Sequence, residues 1–201
     1  LADADPAHRK RARAFVRGTI NAAGPLGASA IIGSMQGPSG HTGDAETARG
    51  YLCEALEDGG EQAARYDVPL IYEPLNRYET RQCCTVADGV RILESLSTDN
   101  VRLLCDLFHM NIEEKSLGDA IRAVGPRLRH FHACIQSFVH ELAGNLPGKA
   151  GREGNKSFGI FFEQIFADSG FVVKAVDIGF RHQLDEVFVS SVVFGQQHKV
   201  K

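Results

Sequence analysis

The 201-residue sequence contains no long apolar run, no signal-peptide pattern and no excess of charge of one sign. Without a run of about 20 apolar residues there is no candidate membrane span. At a net charge of −3, with 43% hydrophobic and 23% charged residues, nothing draws the whole chain towards nucleic acid. Cysteine is present but unpatterned. Cys53, Cys83, Cys84, Cys105 and Cys134 are odd in number and include no C-x-x-C spacing, which counts against a disulfide framework and suits a reducing cytoplasm. No G-x-G-x-x-G follows any apolar run, so a dinucleotide-binding sheet has no support. The glycine-rich stretch GSMQGPSGHTG, residues 33–43, lacks both the lysine and the spacing of a P-loop and reads as a mobile loop over a site.

What remains is a chain long enough to bury one sizeable core, and a single domain over residues 1–201 is the expectation. It begins with Leu1 rather than Met and enters a helix almost at once, as a fragment missing an N-terminal part would. Asp5 followed by Pro6 marks the start of that helix. The basic run HRKRAR, residues 8–13, lies on its polar side, opposite Ala12, Phe15, Val16, Ile20 and Ala23, and reads as a solvated face. A second helix is expected over residues 44–66, weakened by Gly59 and Gly60. Thr85 with Asp88 and Ser116 with Asp119 have capping-box spacing and open two more, and a last one is expected at 157–168.

Six short apolar runs alternate with these helices: residues 28–35, 68–73, 101–108, 128–135, 171–178 and 187–194. Continuous rather than alternating apolar strands belong to a parallel sheet covered by helices, either a (β/α) barrel or an open doubly wound sheet. The run VPLIYE ends on Glu73 and is stopped by Pro74, after which YEPLNRYET returns a second carboxylate at Glu79. Asp106 ends VRLLC, His132 lies in LRHFHA, and Asp177 lies in VVKAVD. On one rim of a parallel barrel, three carboxylates and an imidazole form a hard donor set suited to Mn²⁺, Mg²⁺ or Co²⁺.

At YEPLNRYET and CDLFHMNIEE the sequence resembles the sugar phosphate isomerase/epimerase superfamily of xylose isomerase-like TIM barrels, and within it the ketose 3-epimerases of the D-tagatose and D-psicose type. The resemblance covers residue 5 to His132 strongly. It implies an α/β fold, a (β/α)8 TIM barrel truncated at its N-terminus, with about six of eight strands present. It implies Glu73, Asp106 and His132 as metal ligands, Glu79 and His109 as residues that grip the sugar, and Asp177 in the place of a fourth ligand that also acts as a base. His132 rather than His130 is the ligand because it is the second His of the HxH pair. The activity implied is a metal-dependent proton transfer beside a ketose carbonyl, with Glu73 as first base and Asp177 as second. A small-molecule sugar is the implied partner, with no nucleic acid and no membrane, and a homo-oligomer is compatible with it.

Two departures from the family follow His132. The sequence continues ACIQSF, with Phe138 where the epimerases have a substrate-holding arginine, and PGKAGREGNKSFG keeps only an echo of their PGxG turn. Divergence and a damaged reading frame both account for this segment. The alternative readings are a hydroxypyruvate isomerase or inosose dehydratase of the same superfamily, an inactive truncated remnant, and, against the net charge, an apurinic-site nuclease.

Overall fold

Asp5 accepts a hydrogen bond from the N–H of Ala7 at 2.8 Å and so caps the first helix, α1 (Pro6–Ala23), with Pro6 at its first position. The computed structural model describes residues 1–37, 44–134, 171–181 and 186–196; for 133–134 and the last two stretches it describes the backbone course alone. After α1 come β1 (Ile31–Ile32), α2 (Ala45–Ala64), β2 (Leu70–Tyr72), α3 (Val86–Ser95), β3 (Val101–Asp106), α4 (Leu107–Glu113), α5 (Leu117–Val124) and β4 (Leu128–Cys134). Two longer strands, β5 (Phe171–Arg181) and β6 (Glu186–Gln196), complete one sheet of order β1-β2-β3-β4-β6-β5. The expected helix at 157–168 and the loop residues 38–43 lie outside the described residues.

The first four strands run parallel, as the alternation of strand and helix requires. Of the last two, β6 runs against them, while β5 runs in their direction but is separated from them by β6. β5 pairs antiparallel with β6, and β6 pairs antiparallel with β4, which corrects the expectation of six parallel strands. Only four residues separate β5 from β6, whereas a parallel connection needs a crossover of about a dozen. Antiparallel pairing is the arrangement that such a short link permits.

Alternate residues of the parallel strands divide between two faces. Leu70, Tyr72, Val101, Leu103, Cys105, Leu128 and Phe131 join one buried cluster with Val16 and Ile20 of α1, Leu52 and Leu56 of α2, Ile92 of α3 and Ile121 of α5. The helices therefore cover this face. α2 runs unbroken through Gly59 and Gly60 because those glycines let it lie close on the sheet. A Cβ there would come within 2.8 Å of Leu70 Cδ2 and 2.9 Å of Val101 Cγ2, respectively. Two residues of the basic run of α1, Arg9 and Arg13, meet α2, as does Arg17 beyond it. Arg13 bridges Glu54 at 2.9 Å and Asp58 at 3.4 Å, Arg17 reaches Asp58 at 3.2 Å, and Arg9 lies over the ring of Tyr51.

Helix α3 begins with a complete capping box between Thr85 and Asp88, worth about 1 kcal/mol. The expected strand over 101–108 is shorter than its apolar run. Asp106 accepts from the N–H of Phe108 at 2.8 Å and turns the chain into α4 at Leu107, so that Leu107 and Phe108 are helical. Likewise β1 holds two residues of the expected eight, because Ser34–Gln36 close into a 3-10 turn. Among the described residues no helix is long and apolar enough to cross a membrane.

Candidate metal centre

The other face of the parallel strands carries the polar residues. Glu73 follows β2, two residues after Ile71; Asp106 ends β3, two after Leu104; His132 lies on β4, two after His130. Period two alone would not align these sets, because pairing Leu103 with Leu128 and continuing evenly would set Phe131 beside Asp106. The register shifts between Leu103 and Leu104, and beyond it Leu104 pairs with His130, Cys105 with Phe131 and Asp106 with His132. A one-residue slip turns every following side chain to the opposite face. The irregularity thus leaves Phe131 in the core beneath the helices and brings both histidines to the side of the carboxylates.

Glu73, Asp106 and His132 meet there, each offering one donor atom, all within 4.8 Å of one another. His132 Nδ1 stands 3.4 Å from Asp106 Oδ2 and 3.7 Å from Glu73 Oε1. Asp106 divides its work, with Oδ1 capping α4 and Oδ2 facing the imidazole. The nearby carboxylates, Asp106 first and then Glu73, raise the His132 pKa to about 9. Burial lowers that of His130, whose ring packs edge-on against His132 with centroids 5.0 Å apart. Two carboxylates and an imidazole converging at a half-buried strand end fit a divalent ion of hard character.

A second group adjoins the first. His109 on α4 is buried, with Nε2 3.9 Å from Glu73 Oε1. Its Nδ1 lies 3.7 Å from Glu79 Oε1, and Glu79 extends from the loop after β2. That loop is tied to α4 through Arg77, whose main-chain and Nε donors both reach Glu113 Oε1, at 2.7 and 2.8 Å. Glu113 is held below the usual carboxylate range by the Arg77 guanidinium. Glu114, raised by burial, accepts from the N–H of Val86 at 2.7 Å and anchors the loop's far end.

The expected residues thus fall into three sets. Glu73, Asp106 and His132 come together; His109 and Glu79 stand beside them; Asp177 lies on β5, whose backbone course alone is described. It lies within β5 rather than at its end and pairs with Ser191 of β6, which stands between β5 and β4. Because β6 is antiparallel to both of its neighbours, β5 runs in the same direction as β4, with the reversed β6 between them. Phe138 lies outside the described residues.

Sequence reading missed Gln36 and Asn76, both fully buried polar residues. Gln36 Nε2 donates to the carbonyl of Glu73 at 3.3 Å while its Oε1 accepts from the Tyr72 hydroxyl at 2.8 Å. It holds β2 where the strand delivers its carboxylate. Asn76 carried a local signal, an asparagine three residues before a glutamate in a turn.

Parallel strands covered by helices on one face, with ligand-type side chains at their C-terminal ends, define a β/α-barrel protein with a candidate metal centre. The profile of the Xylose isomerase-like TIM barrel family matches residues 1–167, and the chain belongs to that family. It is similar to D-psicose 3-epimerase of Agrobacterium fabrum, 35% identical over 153 residues, which are 74% of this chain and 51% of that protein. It is also similar to 3-dehydro-D-guloside 4-epimerase of Escherichia coli, 32% identical over 69% of this chain and 48% of the relative. Among solved structures, D-psicose 3-epimerase with D-tagatose from Clostridium cellulolyticum H10 superposes with a TM-score of 0.60 at 32% identity, covering 66% of this chain and 47% of the other. The chain spans about half the length of the curated relatives it matches.

Proposed function

We propose that the protein is a divalent-metal-dependent ketose 3-epimerase. The observation that carries this reading is the meeting of Glu73, Asp106 and His132 at adjacent strand ends, in a chain whose relatives are named as epimerases of ketoses and related sugars. These three residues hold the ion, with Mn²⁺ best suited to the donor set and Mg²⁺ or Co²⁺ as alternatives. When bound, the ion supplies Lewis-acid stabilisation of negative charge on the substrate's carbonyl oxygen.

The chain's own groups carry the rest. The Glu73 carboxylate takes the proton from the carbon beside the carbonyl, and the electron pair of the broken C–H bond moves into the carbonyl to give an enediolate. His109 and Glu79 grip the sugar's oxygens. Inversion needs a second acid that returns a proton to the opposite face. The resemblance gives that role to Asp177, and the resemblance alone supports it. A reducing compartment suits the free thiols of Cys53, Cys83, Cys84 and Cys105, of which Cys83 and Cys105 are pushed well above the ordinary range by burial.

Incubation of the Mn²⁺-loaded protein with D-fructose, D-tagatose and other ketoses, followed by chromatography of the two 3-epimers, tests the reading. The 3-epimer should accumulate, and a chelator should abolish it. A metal-loaded chain that inverts no ketose at carbon 3 would overturn the activity.

A further inference from the structure

The loop after β2 contains a buried side chain whose hydrogen bonds determine the state of a neighbour. Asn76 is 2% exposed. Its Oδ1 accepts from the main-chain N–H of Tyr78 at 3.0 Å. Because that N–H can only donate, it fixes which end of the amide is oxygen, and Nδ2 therefore faces the other way. There Nδ2 lies 2.8 Å from His109 Nδ1 and 2.9 Å from Glu79 Oε1. The main-chain N–H of Asn76 also points at His109 Nδ1, at 3.1 Å.

His109 Nδ1 thus faces two donors and must accept. A neutral imidazole has one donor and one acceptor nitrogen, so the ring proton is on Nε2. Nε2 is the nitrogen on the Glu73 side, 3.9 Å from Oε1 and beyond hydrogen-bond length. Glu79 alone would favour the opposite state, since its carboxylate lies 3.7 Å from Nδ1 and would draw the proton there. Asn76 comes between them and bonds to both.

We propose that Asn76 is a positioning residue that sets the tautomer of His109, so that an N–H rather than a lone pair is presented to an oxygen of a sugar lying beside the metal centre, and that it holds Glu79 in the same unit. The role in turnover rests on the ketose-epimerase reading; the tautomer does not. A donor fixed in advance towards an oxygen that gains negative charge stabilises that charge without reorganisation.

The test is long-range ¹H–¹⁵N spectroscopy of the full chain labelled at histidine and loaded with diamagnetic Mg²⁺, with His109 assigned from the signals lost in His109→Gln. The wild type should show a protonated Nε2 and a bare Nδ1. In Asn76→Asp an acceptor oxygen remains for the Tyr78 N–H, but the side-chain donor facing Nδ1 becomes a carboxylate, whose charge-assisted bond outweighs the main-chain N–H that remains, and the proton should move to Nδ1. For an epimerised ketose, kcat should fall on the order of ten- to a hundredfold with Mg²⁺ affinity little changed. A wild-type His109 protonated on Nδ1 overturns the proposal without any variant. So does Asn76→Asp that leaves the proton on Nε2, or that loses Mg²⁺ affinity in proportion to kcat. If the wild type epimerises no ketose, the epimerase reading fails and the spectra still decide the tautomer.

Discussion

Gly33, just past β1, lies against the carboxylate of Glu73: a Cβ placed on it would stand 2.8 Å from Oε2. The missing side chain leaves the space in which Glu73 turns Oε1 towards His132. The next neighbour, Leu75 Cδ2, would be at 3.5 Å, an ordinary contact, so only the flexible end of Glu73 has to move. Gly33→Ala should therefore leave a folded chain with weakened metal binding, on the order of ten- to a hundredfold, the usual effect of disturbing a ligand's support. Mn²⁺ titration beside thermal melting of the metal-free protein checks both. Unchanged affinity would mean that Glu73 is not a ligand or has room elsewhere.

His132 ties metal binding to pH. In the metal-free chain Asp106 and Glu73 raise its pKa from the ordinary 6.5 to about 9. A group whose pKa is raised on folding stabilises the fold fully below its unfolded value, and that contribution disappears as pH rises through the folded one. The melting temperature of the metal-free chain should thus lose this contribution between about pH 6.5 and about 9. A metal ion must displace the same proton. Mn²⁺ affinity should rise across that window, and binding at neutral pH should release a proton, measurable by calorimetry in buffers of different ionisation enthalpy. An affinity that is flat with pH would argue against ligation through this imidazole.

The two groups of residues around Glu73 should separate in their effects. His132→Ala removes a donor and should lower Mn²⁺ affinity and turnover together. Glu79→Ala and His109→Ala should leave affinity within a few-fold while reducing turnover on the order of a hundredfold or more. Loss of the metal in either of the latter variants would show that the ion-holding and sugar-gripping roles have been misassigned.

The parts of this arrangement that are legible in sequence are those fixed by neighbours along the chain. Pro74 stops β2 and leaves Glu73 at its end, Asp5 and Pro6 start α1, and the Thr85–Asp88 spacing starts α3, each through contacts within four residues. Asp106 shows where that local information becomes ambiguous. It both ends β3 and caps α4, and the apolar residues on either side of it continue the same run. The last two apolar runs, residues 171–178 and 187–194, have no helix signal between them, and only the alternation of strand and helix earlier in the chain suggests that both are parallel. Gln36 is not legible for another reason, since it bonds 37 positions away; the turn bonds of Asn76 are local, but its partner His109, 33 positions away, has no local period.

The Arg77–Glu113 pair connects the loop that carries Asn76 and Glu79 to the end of the helix that carries His109. Arg77 is mostly exposed and Glu113 is almost fully covered, and the carboxylate takes both the main-chain and the side-chain donor of Arg77. An ion pair with one exposed partner contributes little to stability. Its geometric effect is larger, because a shift of about 1 Å in a substrate-orienting group costs on the order of a hundredfold in rate. Arg77→Ala removes the guanidinium's bonds to Glu113 and to the Ile112 carbonyl but keeps the main-chain tie of the loop to Glu113, whereas Glu113→Ala removes that main-chain tie as well as the Nε bond. The expected order of turnover is wild type, then Arg77→Ala, then Glu113→Ala, with higher KM in both variants, melting temperatures within a few degrees, and unchanged Mn²⁺ affinity. Steady-state kinetics, melting and metal titration on the three proteins give that order or refute it. If Glu113→Ala turns over as well as the wild type, the loop keeps its position without this pair, and the Asn76–His109 and Glu114–Val86 bonds are enough to hold it.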